Sequence, residues 1–363
     1  MPSPLALTTR AKTLLVLGLL VLVGLSVHRM WWAEPPGPYV AFGGQTMGTT
    51  WEVKLAGPGL GPQEIRQAAG AAESALAEVV SLMSNWEADS EISRFNAHSS
   101  LAPFTVSPPT LEVVSAAQAI SEETEGAFDI TVGPLVEAWG FGADPRPGQA
   151  PDARTIQSLR EQVGFQRLEI IPEQSALQKR NPALQVDLSA IAKGYGVDRV
   201  AEALEALGHR DYLVEVGGEL RASGRKTTGQ PWRVAIERPS DGYRAIQEVL
   251  ELRENAMATS GDYRNFYEEA GQRFSHTVDP RSGAPITHGL ASVTVVDPSA
   301  MQADAWATAL SVLGPEAGYS LAEQEALPAY FIIREDAGFS TRMTEQMTRL
   351  LQSLNEPTDH QDP

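Results

Sequence analysis

An α+β fold is what this 363-residue sequence predicts, on three observations. Runs with strand-like alternation often follow one another directly, and helical runs cluster between them instead of alternating one for one. No G-x-G-x-x-G follows a strand, and no G-x-x-x-x-G-K-[ST] occurs, so neither a Rossmann nor a P-loop arrangement has support. The third is the stretch Asp187–Gly224, around which the rest is arranged. It opens with a carboxylate and small residues, then Lys193-Gly194, then a helical repeat with Val197, Val200, Ala201, Leu204 and Leu207 on one face. Gly208 is placed to stop that helix. The alternating strand Tyr212–Val216 follows, broken by Gly217-Gly218 before a second short strand that ends at Gly224. A carboxylate, a cation and a glycine pair at the ends of rigid elements are a common way to build a site for a phosphorylated ligand.

Taken in order, the chain first shows Arg10 and Lys12 ahead of an apolar run from Thr13 to Val27, then Trp31-Trp32. A basic flank and apolar run fit an export signal, and paired tryptophans suit a membrane interface. The run is short against the roughly 20 residues a span needs. We expect residues 1–32 to be an uncleaved inner-membrane anchor with a periplasm-facing body, cleavage to a soluble periplasmic form being the alternative. Residues 33–45 are rich in Pro and Gly and read as a linker, 46–355 as the catalytic domain and 356–363 as a polar tail.

Within the domain, Met47–Leu55 alternates as a strand and Glu64–Val80 is an Ala-rich helix with a spaced apolar face. Ser84–Asn96 reads as a functional loop or helix end, Thr110–Thr124 as a helix, and Asp144–Asp152 as an exposed Pro/Gly-rich loop. Strands are predicted at Arg167–Ile171, Ala176–Gln178 and Leu184–Asp187. Beyond the central stretch they continue at Trp232–Glu237, Ile246–Leu252, Met257–Ser260, Arg273–Val278, Ala291–Val296 and Ala329–Arg334. Helices are predicted at Ala305–Leu313, Gly318–Glu325 and Thr344–Leu354.

Composition narrows the function. With 28 basic against 46 acidic residues the formal charge is -18, which argues against a nucleic-acid partner. Cysteine is absent, so no disulfide, thiolate nucleophile or Cys-ligated metal exists. Asp304 and Thr308 lie four apart on a predicted helix and share a face. They suit a hard cation such as Mg²⁺, or else a helix cap and a hydroxyl bonded to its own turn. His276, on a strand running into the Asp279-Pro280…Gly283 turn, is either a proton acceptor or a strand histidine. Asp187 and Lys193 either bracket a ligand or are a helix-start carboxylate and a solvated lysine. Phe128, Trp139, Asn85 and Trp86 are open between ligand contact and structure.

Together and in order these segments closely resemble the ApbE-type FAD:protein FMN transferases. The matching pieces are Met47-Gly48-Thr49, Met83-Ser84 with Asp89–Asn96, Gly126–Leu135 with its Phe128-Asp129, and Trp139–Gly142. They continue through Asp187–Tyr195, Val216–Glu219, Thr259–Tyr263, Ser275-His276 with Asp279-Pro280, and Ala303–Thr308. The resemblance implies a T-fold-related α+β structure with antiparallel sheets and packed helices. It also implies an enzyme that cuts FAD and links FMN by a phosphoester to a Ser/Thr hydroxyl of an acceptor flavoprotein, releasing AMP. On that basis Mg²⁺ would be held by Asp304, Thr308 and the Ala190 carbonyl. FAD contacts would fall on Met47, Asn85, Phe128, Asp129, Asp187, Lys193 and the backbone at Val278, with His276 as the base. Many relatives are lipoproteins, and this chain has no Cys to lipidate. The alternatives are an FAD pyrophosphatase releasing FMN and AMP, and a non-catalytic envelope protein that binds flavin.

Overall fold

In the computed structural model, residues 39–142, 150–239, 245–262, 266–269, 272–336 and 338–355 are described. The expected anchor, residues 33–38 of the expected linker, residues 144–149, Tyr263 and the polar tail lie outside them. No described helix is long and apolar enough to cross a membrane.

Eight strands form one antiparallel sheet whose spatial order is their chain order. They are β1 (Val40–Thr46), β2 (Thr49–Leu55), β3 (Tyr212–Val216), β4 (Glu219–Ser223), β5 (Asn255–Gly261), β6 (Leu290–Asp297), β7 (Ala329–Glu335) and β8 (Gly338–Met343). The helices are α1 (Pro62–Met83), α2 (Glu91–Ala97), α3 (Pro108–Glu123), α4 (Gly133–Ala138), α5 (Ala153–Arg160), α6 (Ala192–Ala206), α7 (Ala300–Gln324) and α8 (Glu345–Asn355). Smaller sheets stand apart from the main one. Phe104–Thr105, Ala176–Lys179 and Leu168–Ile171 make three strands, and Trp232–Arg238 pairs with Ala245–Leu252 as a hairpin. Two further pairs are Phe266–Glu269 with Gln272–Ser275, and Val278–Asp279 with Ala284–Pro285.

Periodicity explains how the layers close. On α1, Ala68, Ala72, Ala75, Leu76, Val79 and Met83 are buried at three- and four-residue steps, giving a narrow stripe of mostly small side chains. That stripe faces α6, and the pair cover Trp51, Val53 and Leu55 of β2 and Tyr212, Val214 and Val216 of β3. A second cluster joins α3 and α7 to Val293, Val295 and Phe331 on β6 and β7. Alternate residues of β2 and β3 therefore face the helices, as a period of two requires.

The structure corrects the sequence reading in several places. Val40–Thr46, all but its last residue in the expected linker, is the edge strand β1, paired along its length with β2. Leu184–Asp187 forms no strand. Its alternation is real, with Leu184 and Val186 buried, but side-chain amides occupy the backbone of Val186 in place of a neighbouring strand. The predicted strand Arg273–Val278 divides, leaving His276 and Thr277 in the gap. The two helices predicted between Ala305 and Glu325 are there as the two arms of α7, which breaks at Gly314 (φ 82°) ahead of Pro315, a residue that cannot donate to the preceding turn; the first arm starts earlier than predicted, at Ala300. Ser84–Asn96 ends in α2, while α4, α5 and β8 form where nothing regular is predicted.

Candidate functional site

Where α6 and α7 meet the β3–β4 turn, a cleft of about 850 Å³ opens. Phe128, Asp129, Asp187, Ala190, Lys193, His276, Val278, Asp304 and Thr308 all line it, together with Gly217 and Glu219. Residues spread from 128 to 308 in sequence thus converge on one concave surface.

The α6–α7 wall is held by a reciprocal cap. Helix α6 begins at Ile191, whose side chain cannot cap it. Asp304, from the second turn of α7, supplies the acceptor: its Oδ2 takes the Gly194 N–H at 3.0 Å. In return, Asp198 of α6 accepts from the backbone N–H groups of Ala300 and Met301, each at 3.0 Å, and from the Ser299 hydroxyl at 2.7 Å. Asp198 also pairs with Arg221 of β4 at 2.8 Å. Each helix start therefore receives a carboxylate from the other, which also suits the positive end of each helix dipole. Gly194 permits this closeness: a Cβ there would run into the Ala300 carbonyl and lie 2.8 Å from the Asp304 Cβ. Asp304 thus caps a helix, but not its own.

Charge in the cleft is arranged around Lys193. Its Nζ lies 2.7 Å from Glu219 Oε1 and 3.6 Å from Asp304 Oδ1. Burial works against the ammonium, but Asp304 and Glu219 outweigh it and hold the pKa above the ordinary lysine range. Glu219 is 4% exposed. Burial pushes its carboxyl up to about 7, Lys193 pulling it back and Asp304 pushing it further. Its Oε2 is buried without a hydrogen-bond partner.

The segment bearing Asp187 and Ala190 is suspended by amides. Asn96 accepts from the Val186 N–H at 2.7 Å and donates to the Val186 carbonyl at 2.8 Å, and Asn85 donates to the same carbonyl at 3.2 Å. Asp187 N–H donates to Ile130 O at 2.7 Å, and the Asp187 carboxylate accepts from Ser189 N–H at 2.9 Å, turning the chain toward Ala190. Asp129 is equally committed, accepting from Thr131 N–H at 2.7 Å, the Thr131 hydroxyl at 2.6 Å and Phe165 N–H at 2.8 Å. Burial raises its pKa against these bonds.

His276 sits half-buried at the end of a series of rings. Trp139 stacks on Phe274 at 5.5 Å, Phe274 on Tyr267 at 5.2 Å, Tyr267 meets Phe141 at 5.3 Å, and Phe141 meets His276 edge-on at 6.4 Å. The tryptophan is pinned by Nε1 donating to Gly283 O at 2.8 Å.

Two expected ligand contacts lie away from this wall. Met47 occupies the β1–β2 turn at φ 48°, packs against both core clusters and borders a separate depression of about 550 Å³ with Trp51, Leu76 and Asp89. From the same hairpin it is Thr49, Thr50, Glu52 and Lys54 that line the cleft. Asn85 does not line the cleft; its amide holds the Val186 carbonyl, one residue before Asp187. Asp198 and Asn96 carry no expected role in the sequence. Asp198 does leave a trace there, as a carboxylate between Val197 and Val200 on the apolar face of a helix.

The donor atoms fit a hard cation. Asp304 offers a carboxylate, Thr308 a hydroxyl and Ala190 a carbonyl, all oxygen, with the unpartnered Glu219 oxygen on the same cleft. Among the described residues no group of three His, Cys, Asp or Glu is clustered for a metal. Such a site leaves coordination places for water and ligand oxygens, as Mg²⁺ prefers.

Comparison with known proteins agrees with this geometry. The model of the ApbE family matches residues 47–331. An FAD:protein FMN transferase of Vibrio cholerae is 46% identical over 307 residues, covering 84% of this chain and 91% of that protein. The one from Escherichia coli K12 is 41% identical over 312 residues, covering 85% and 88%. Among solved structures, the flavin transferase ApbE from Vibrio cholerae superposes with a TM-score of 0.79 at 43% identity, covering 85% of this chain and 98% of the other. The apo flavinyl transferase ApbE of Pseudomonas stutzeri gives the same TM-score, 0.79, at 42% identity, covering 86% and 96%. This chain belongs to the ApbE family.

Proposed function

We propose that this enzyme transfers the FMN half of FAD to a serine or threonine hydroxyl of an acceptor flavoprotein, forming a phosphoester and releasing AMP, with Mg²⁺ as the cation. The observation that carries the reading is the meeting of His276 with Asp304, Thr308 and Ala190 on one cleft. The names of the relatives support flavin transfer as the reaction.

Phosphoryl transfer asks a protein for positioning and charge neutralisation more than for covalent help. Asp304, Thr308 and the Ala190 carbonyl would hold the cation. When bound, it supplies positive charge against the diphosphate and the leaving AMP. Lys193, fixed by Glu219 and Asp304, adds a second positive charge at the cleft of a chain whose formal charge is -18. The acceptor oxygen forms its bond to the FMN phosphorus while its proton passes to the His276 imidazole. The bond between that phosphorus and the bridging oxygen breaks, and its electron pair leaves with AMP. Phe141 and the rings behind it support the orientation of the imidazole.

The basic flank and apolar run before residue 28 support a second proposal, that residues 1–32 anchor the enzyme in the inner membrane with its body facing the periplasm. N-terminal sequencing of the membrane fraction tests it, a start near Ala33 being the contrary result.

Incubation with FAD, Mg²⁺ and a candidate acceptor domain, read by mass spectrometry, tests the reaction. The acceptor should gain the mass of FMN, and a chelator should abolish the gain. Free FMN and AMP with an unchanged acceptor would mean hydrolysis instead, and intact FAD would mean binding alone.

A further inference from the structure

We propose that the outer face of the hairpin Trp232–Arg238/Ala245–Leu252 is the surface on which the acceptor flavoprotein docks; this rests on the transferase reading above.

The hairpin is a two-stranded sheet of its own, set against the body. Its inner face is packed: Trp232, Val234, Ile236, Leu250 and Leu252 are buried, and Trp232 Nε1 donates to Ser223 O on β4 at 2.8 Å. It is therefore a fixed platform, tied to the strand that also carries Glu219. The outer face follows from the register. Arg233 lies opposite Glu251, Ala235 opposite Val249 and Glu237 opposite Ile246, and directly opposed residues share a face.

Two properties of that face belong together. Ile246 is 68% exposed and Val249 39%, an aliphatic pair left in water on a face whose other members are polar or small. Their opposite numbers Ala235 and Glu237, with Arg233, line the cleft that holds His276. The apolar pair is thus continuous with the rim of the cleft, and the Arg233–Glu251 pair at 3.6 Å borders it. An apolar centre with a charged border is the anatomy of a small protein–protein interface. A dinucleotide lying within the cleft has no use for aliphatic side chains outside it. A polypeptide whose hydroxyl must reach His276 has to pass the rim, and its own surface then covers the hairpin. The modest size of the patch fits a transient encounter, which suits an enzyme that must release a modified protein.

The test uses the full chain and an acceptor domain that takes up the FMN label from the wild type. Ile246→Asp and Val249→Asp are combined, with Leu207→Asp at the exposed end of α6 as control. Because both targets are exposed, thermal denaturation should show the fold unchanged; Val249→Ser alone serves if the double variant is destabilised. The expected result is a KM for the acceptor raised roughly tenfold, about the effect of losing one well-packed contact. FAD affinity and kcat at saturating acceptor should stay at wild-type values, and Leu207→Asp should change nothing. An unchanged acceptor KM overturns the proposal, as does an equal loss of FAD affinity, which would place these residues in the cleft itself. Failure of the wild type to label any acceptor defeats the transferase reading, and the proposed partner with it.

Discussion

The two walls of the cleft are built on different principles. Where α6 meets α7, every charged group is fixed by a short bond to backbone or to an opposite charge: Asp304 to Gly194, Asp198 to Ala300 and Met301, Lys193 to Glu219. On the other wall His276 sits in a gap between two short strands, edge-on to the ring of Phe141. The difference teaches how the work is divided. Groups that stabilise charge gain most from being fixed before the reaction starts, because no reorganisation is then spent during it. A proton acceptor that must meet an incoming polypeptide has to stand at an accessible edge.

The comparison can be broken most sharply at Asp304. Asp304→Ala should lower transfer by about 10³-fold, in the range lost with a central electrostatic group. It should also cost about 1 kcal/mol of stability, because the start of α6 loses its cap. Asp304→Asn keeps an oxygen for Gly194 and removes the charge, so it should lose a comparable share of activity with little change in Tm. Steady-state kinetics and thermal denaturation of the pair separate the two roles, and similar Tm losses would contradict the cap. His276→Ala should come next, slowing transfer by roughly 10²-fold with FAD affinity nearly intact, since a general base acts in the reaction and not in binding. Equal losses in both would make His276 a packing residue.

Gly194→Ala probes the rigid wall without touching a charge. The added methyl meets the Ala300 carbonyl, and neither helix can withdraw without loosening the caps. Overpacking of this kind costs about 1–3 kcal/mol, readable in denaturant unfolding, and cation affinity should fall with it as Asp304 shifts. The smallest effect expected lies outside the cleft. Lys179 is buried, its Nζ donating to Asn96 O at 2.9 Å, and burial pushes its pKa down to about 8. The unfolded chain therefore binds more protons than the folded one between about pH 8 and pH 10.5. Stability from this group is fully present above that window and lost as pH falls through it. Tm should drift upward with pH across the window in the wild type, and less so in Lys179→Met.

Much of this was legible in the sequence because periodicity and turn residues report burial directly. The repeat in α6 as far as Leu204, the glycine turn between β3 and β4, and the Asp304–Thr308 spacing survive in the structure, while Leu207, predicted on the same face, lies past the helix end and is exposed. What escapes depends on tertiary partners. β1 contains Gly43-Gly44 and buries little, so its pairing with β2 leaves almost no pattern. α5 fully buries no residue, and its apolar side is only Ile156 and Leu159, half-buried against Leu135, Trp139 and Val163, a stripe too short to stand out. Leu184–Asp187 alternates like a strand, yet Asn85 and Asn96 from other elements take the ladder's place. The exchange of caps between Asp198 and Asp304 joins residues 106 positions apart in number (304 against 198), which no local spacing announces.

Crystals soaked with Mn²⁺ and FAD, with the cation located by its anomalous scattering, would show where the cation and the diphosphate sit relative to His276. A single strong site is expected, coordinated by the Asp304 carboxylate, the Thr308 hydroxyl and the Ala190 carbonyl, with the diphosphate beside it and within reach of His276. A cation bound elsewhere, or a diphosphate lying away from His276, would contradict the proposed reaction.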